Sequence, residues 1–139
     1  MRTLKVKLDE GAFKPKRAHP TDAGLDIFAI KNGIVRAKQS AVFHTGVHIQ
    51  LQHEILGDVR PKSGLMFNND ILTFGTVDEG YDGEVMVKMF NLGNDDFKVR
   101  RGDKITQIAL VRVIYDDPEV VEDIEGGERG SLGFGSTGK

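Results

Sequence analysis

The chain has no cysteine among its 139 residues. That excludes disulfides and cysteine-ligated zinc, and it fits a reducing, intracellular compartment. Charge of one sign is also in short supply: 19 basic residues stand against 21 acidic ones, for a formal net charge of −2. Such a balance argues against direct nucleic-acid binding, although cations can still gather locally around a small polyanion such as a nucleotide. No apolar run approaches the length of a transmembrane helix. The first residues, MRTLKVKLDEG, alternate Leu4, Val6 and Leu8 with charged neighbours instead of building a secretory apolar region. A cytoplasmic protein without a membrane partner is expected. Helical periodicity is scarce, and neither an internal repeat nor a coiled coil is present.

What is there reads at period two. RTLKVKL, GLDIFAI, AVFHTGVHIQL, EILGDVRP, ILTFGTV, EVMVKMFN and KITQIALVRVI are rich in Val, Ile, Leu and Phe and bounded by Gly, Asn, Asp or Pro, which predicts an all-β sandwich or barrel. Asp95 and Asp96 after Gly93 and Asn94 predict one hairpin turn and Arg101 to Asp103 another, so residues 90–108 read as a meander. The length suits a single domain. We divide it into a core over residues 1–115, an acidic arm over 116–128 (DDPEVVEDIEGGE), and a glycine-rich lid over 129–139 (RGSLGFGSTGK). A dozen extended residues reach roughly 40 Å, enough for the arm to serve a neighbouring subunit.

The lid has the composition of a phosphate cradle, since glycines let backbone N–H groups converge on an anion. Gly133, Gly138 and Lys139 match GxxxxGK, but a P-loop also requires a preceding strand, a hydroxyl residue after the lysine and a following helix. A flexible Gly/Ser tail is the other reading of the same composition. Asp78 closes the apolar run Ile71 to Val77 before a glycine-containing turn; it either caps that turn or presents a carboxylate able to take a proton from water. Arg60, Lys62 and Ser63 flank Pro61 and Gly64 at a strand end, a set that suits phosphate oxygens or simply a charged turn. His44 and His48 have the spacing of a helical zinc pair, yet lie in β-rich sequence where they would stand about 13 Å apart.

Taken in order, DAGLDIFA, PKSGL, GTVDEGYDGE, RGDKITQ and RGSLGFGSTG resemble the five motifs of the trimeric dUTPase family, across nearly the whole chain. The resemblance implies a distorted jelly-roll β-barrel, assembled as a homotrimer with an exchanged C-terminal arm and shared active sites. It implies hydrolysis of dUTP to dUMP and pyrophosphate, which limits uracil in DNA and supplies dUMP for dTMP synthesis. Asp78 would activate the water that attacks the α-phosphorus. Tyr81 would lie under the deoxyribose, and the hairpin around Gly75, Thr76, Val77 and Gly83 would read uracil through its backbone. Lys62, Ser63, Gly64 and Gln107 would contact phosphates, and Asp26 would hold a bound Mg²⁺ through water. Arg129 would meet the γ-phosphate, Phe134 would stack on uracil, and Gly133, Gly135, Ser136 and Thr137 would line the triphosphate. Lys62 stands where the family pattern has arginine, and it lacks the planar fork. Asp22 has no role of its own beyond placing Asp26. Two rivals remain: a dCTP deaminase-type enzyme on the same scaffold, and a regulatory dUTP-binding protein that switches an unidentified protein partner.

Overall fold

Alternating apolar residues become strands throughout the computed structural model, which describes residues 2–133. The described residues form strands β1 (Lys5–Leu8), β2 (Gly24–Phe28), β3 (Gly33–Val35), β4 (Ser40–Phe43), β5 (Val47–Gln50) and β6 (Ile55–Arg60). A helix, α1 (Ser63–Asn69), precedes β7 (Ile71–Leu72), β8 (Gly75–Val77), β9 (Val87–Asn91), β10 (Phe97–Val99) and β11 (Lys104–Arg112). All pairings are antiparallel, in four sheets: β1-β5, β10-β3, β2-β11-β6-β8 and β4-β9-β7. Period two is visible in β6, where Ile55, Gly57 and Val59 are buried between half-exposed neighbours, and in β9, where Val87, Met89 and Asn91 are buried. These inward faces meet Ile27, Val35, Phe43, Val47, Ile71, Val99, Ile105 and Ile108 in one core.

The structure corrects three local expectations. The run 41–51 is two strands, β4 and β5, in different sheets. Gly46 between them has φ +66°, and a Cβ there would meet Ala12 Cβ at 2.8 Å, so the chain bends where only glycine fits. Residues 90–108 are no meander, because β9, β10 and β11 each pair with strands from elsewhere in the chain. Asn91 decides where this run leaves the meander at its first turn. Its buried amide donates to Val35 O at 2.9 Å and Asp95 O at 2.8 Å, and its Oδ1 accepts from Gly93 N, wrapping the expected hairpin into a crossover. The Arg100–Asp103 turn does form, with Gly102 at φ +88°, but it links strands of two sheets.

The third is α1, a helix of seven residues with no buried member. Pro61 ends the preceding strand's extended run, and SGLMFNN contains no β-branched residue to resist a helical turn. Asp70 stops it in the left-handed conformation, donating its N–H to the Leu65 and Met66 carbonyls. A helix of two turns is too short to show a period in sequence. No helix among the described residues is long and apolar enough to cross a membrane.

Candidate functional site

Two groups of side chains stand out, at opposite ends of the four-stranded sheet. At one end Asp26, Gln107 and Arg60 lie side by side across β2, β11 and β6, paired in register and therefore on one face. Asp26 is 2% exposed. One of its oxygens accepts a hydrogen bond from Lys62 Nζ. The other, Oδ2, lies 3.2 Å from Lys104 Nζ as an ion pair, yet no hydrogen-bond donor is aligned with it among the described residues.

Lys104 reaches Asp26 because of a bulge. Gln107 pairs with Asp26 and Thr106 with Ile27, but Lys104 pairs with Phe28, so Ile105 is the extra residue. In a regular strand Lys104 would share a face with Thr106; the added residue turns it onto the face of Asp26. Two ammonium groups thus converge on one carboxylate, a cluster suited to receive a polyphosphate. Arg60, a sequence candidate for the same cluster, bonds Asp58 Oδ2 through Nε at 2.7 Å instead.

Gln107 is positioned from two sides. Its Nε2 donates to Pro61 O at 2.9 Å, and its side chain lies across Gly24, where an added Cβ would fall 2.1 Å from Gln107 Oε1. Thr106, fully buried, donates to Arg60 O and meets Thr73 Oγ1 at 2.6 Å. These bonds lock the strand end from which Pro61, Lys62 and the exposed Ser63 and Gly64 project.

At the other end β8 is an edge strand, paired only with β6 among the described residues. Gly75 and Thr76 are exposed, and the outer backbone groups of an edge strand are open to a ligand. Asp78 follows, exposed, and a turn closed by Tyr81 N donating to Asp78 O carries Gly80 at φ +86°. The segment 75–83 is a strand and a turn with no ladder between its limbs, so the expected hairpin is corrected to an edge. Tyr81 folds back to donate its hydroxyl to Glu84 O at 2.8 Å, with its ring over Gly83; a Cβ there would meet Tyr81 Oη at 2.5 Å. Thr76, Val77, Asp78, Tyr81, Glu84, Val85 and Met86 line a groove of about 280 Å³.

Carboxylates beside this groove are held down by their partners. Glu79 sits below its ordinary pKa because it accepts hydrogen bonds from the Tyr115 hydroxyl, His53 and the Glu54 N–H, against an upward push from burial. Burial is the largest influence on Glu84 and pushes it up, but the bonds from His44 and from backbone N–H groups outweigh it.

Val77 pairs with Gly57, so Asp78 lies level with Leu56, four residues before Arg60 on β6. Four residues of strand span about 13 Å. One chain therefore keeps Asp78 and Tyr81 well apart from Lys62, Ser63 and Gln107.

A family model described as dUTPase matches residues 11–138. The chain belongs to the dUTPase family. It is 41% identical over 142 residues to a deoxyuridine 5'-triphosphate nucleotidohydrolase of Clostridium acetobutylicum, with 99% of this chain and 98% of that one covered. A relative of the same description from Gloeothece citriformis is 43% identical, covering 97% of this chain and 96% of its own. Among solved structures, the dUTPase of Staphylococcus bacteriophage 80alpha with dUPNHPP superposes with a TM-score of 0.92 at 26% identity, with both chains fully covered. The jelly-roll expectation agrees with this likeness.

Against the dUTPase motifs, the structure brings Asp26, Lys62 and Gln107 together and places Thr76, Val77, Asp78 and Tyr81 on one groove. Arg129 and Gly133 lie in an exposed stretch without strand or helix, where Arg129 donates to Gly133 O at 2.7 Å. Phe134, Gly135, Ser136 and Thr137 fall outside the described residues. Asp22 does not touch Asp26 in any described bond. It caps its own turn through His19, whose side-chain and backbone bonds hold Asp22 below its ordinary pKa. Sequence reasoning missed Lys104 and Gly24. Both sit inside quoted motifs, but a bulge and a close approach are needed to reveal their parts.

Proposed function

We propose that this chain hydrolyses dUTP to dUMP and pyrophosphate. The observation that carries the reading is the groove at β8, where Asp78 and the Tyr81 ring stand beside the open backbone of an edge strand. The Asp78 carboxylate accepts a proton from a water molecule as the water oxygen bonds to the α-phosphorus. The bond from that phosphorus to the α,β-bridging oxygen breaks, and pyrophosphate leaves with the electron pair. Gly75, Thr76 and Val77 offer backbone donors and acceptors to the uracil edge. A pocket wall made of backbone cannot move aside cheaply for the methyl of thymine, and cytosine would leave a buried group unpaired. Tyr81 packs under the sugar and leaves no room for a 2′-hydroxyl.

The triphosphate lies against the other group, with Lys62, Lys104, Ser63 and Gln107 around it. Asp26 fits a role toward Mg²⁺ through water. Its buried Oδ2 has no aligned donor, so it can accept a hydrogen bond from a metal-bound water, while two lysines on the same carboxylate oppose direct coordination. Among the described residues no cluster of three or more ligating side chains could hold a metal ion. The triphosphate would therefore supply the inner ligands, and the ion would offset its charge.

Because about 13 Å of strand separates the two groups, a working site takes Asp78 from one subunit and the phosphate cluster from another. A homotrimer with shared sites meets that need. The arm carries Val120 at 98% exposure and Ile124 at 85%, apolar surface suited to lie on a neighbouring subunit. It would bring Arg129 to the γ-phosphate, Phe134 to the uracil and Gly133, Gly135, Ser136 and Thr137 to the triphosphate. Closing such a lid excludes water and fixes the in-line geometry.

Pyrophosphate release on dUTP, dCTP, dTTP and UTP, with Mg²⁺ and then with EDTA, tests the proposal. Release confined to dUTP and lost with EDTA is expected. Ammonia from dCTP, or equal turnover of all four, would overturn it.

A further inference from the structure

The turn that carries Asp78 and Tyr81 is tied to the rest of the chain by three of its four histidines. His53 Nδ1 meets Glu79 Oε1 at 3.1 Å, His48 Nδ1 meets Asp82 O at 2.8 Å, and His44 Nδ1 meets Glu84 Oε1 at 2.8 Å. His48 is the most enclosed of the three, with 21% of its side chain exposed against 55% and 78% for the other two. Its second ring nitrogen, Nε2, faces both oxygens of Asp9 at 3.0 and 3.1 Å.

A backbone carbonyl and a carboxylate only accept hydrogen bonds. A neutral imidazole has one N–H and can serve one of them; its other nitrogen then points a lone pair at an oxygen. Only the imidazolium makes both bonds. The geometry points to His48 as a positioning residue: in its protonated form it clamps Asp82, and with it the Asp78–Tyr81 turn, to β5 and to the segment after β1, in a pH-dependent way. This rests on the reading of that turn as the uracil and water site.

The surrounding charges favour the clamp on balance. The Asp82 carbonyl and then Asp9 hold the imidazole above its ordinary pKa, against partial burial and the Lys7 ammonium, which faces His48 across the β1-β5 pair. Lys5 on β1 and Tyr81 on the turn complete the groove of about 780 Å³ that His48 lines. For a group raised in this way, the clamped form prevails at low pH and is lost as pH rises through the raised value.

Two measurements test this. The first, needing no substrate, follows the His48 ring by NMR against pH: it should titrate above the ordinary histidine value of about 6.5, and Asp9→Asn should move it down. The second is the pH profile of KM for dUTP. Wild type should show KM rising about three- to tenfold through that same pH, with kcat changing less. His48→Gln, whose amide does not titrate and whose two donors share one nitrogen instead of facing the two acceptors from opposite sides of a ring, should show the high KM at every pH. A ring that titrates at or below the ordinary value, or superposable KM profiles for wild type and His48→Gln, would overturn the inference. Wild type that fails to turn over dUTP would instead overturn the proposed activity, and the clamp would then be judged by the ring titration alone.

Discussion

The two ends of the four-stranded sheet differ in how complete they are. The phosphate end is built on backbone paired on both sides: Gln107 and Thr106 lie on the central strand β11, and Asp26, on the opposite edge strand β2, is bridged on its outer side by Lys16. Asp26 and Thr106 are buried, Gln107 is wedged over Gly24, and their bonds close within one chain. The end that carries Asp78 is an edge, with Asp78, Tyr81 and the backbone of Gly75 and Thr76 left exposed. Central strands pair on both sides, so their side chains can be fixed before any ligand arrives. An edge strand keeps a row of donors and acceptors for something else. In this fold the charged groups are pre-set, whereas the surface proposed to read the base is tied to the chain by histidines and, on the proposed reading, would be completed by a neighbouring subunit.

The largest expected effect strikes the edge. Asp78→Asn should lower kcat for dUTP by about 10²- to 10⁴-fold while binding of a slowly hydrolysed analogue stays near normal. Turnover close to wild type would remove Asp78 from the chemistry.

Next comes the separation itself. Lys62→Ala should cost roughly ten- to a hundredfold in kcat/KM by removing a charged contact to phosphate. Mixed with Asp78→Asn chains after dissociation and reassembly, it should regain activity, since some sites then draw both intact groups from different subunits. If every mixing ratio merely averages the two parents, each chain works alone.

A smaller effect is expected at the pre-set end. Gly24→Ala places a methyl where Gln107 Oε1 lies, so Gln107 must leave its place beside Pro61. KM for dUTP should rise roughly tenfold, and chemical denaturation should show a loss of about 1–3 kcal/mol. An unchanged KM would mean that Gln107 does not touch substrate.

The smallest concerns stability at the edge. Glu84 is held below its ordinary pKa, so its contribution is present above the unfolded-state value and is lost as pH falls through the folded-state one. Thermal melts should show wild type losing a few degrees more than Glu84→Gln between neutral pH and about pH 4. Parallel melting curves would show that the bonds from His44 and Gly46 N–H carry no stabilisation.

The candidate site was legible in the sequence only unevenly. Asp78 stood out because an apolar run ending in a carboxylate before glycine leaves that group at a strand end. Asp26 and Gln107 were legible as members of motifs, but their meeting across β2 and β11 depends on register, a property of two strands far apart in sequence. Lys104 was hidden by a one-residue bulge. Gly24 looked like one glycine among many until the side chain lying over it was seen. The meander expected over residues 90–108 failed because local turn chemistry says where a chain bends and not which strand it joins. Asn91, reaching to Val35 O, chose the partner.

By itself, then, the sequence determined what depends on neighbours along the chain. That includes the period-two strands, the turns marked by glycine, the ordered motifs that mark the family, and the acidic composition of the stretch after Tyr115. Tertiary structure decided what depends on pairing: which strand is central and which is an edge, which face Lys104 joins, and how far Asp78 lies from Lys62. The physical reason is that side-chain alternation is set residue by residue, whereas register, bulges and sheet order are set by burying one shared core, and no local stretch contains that information.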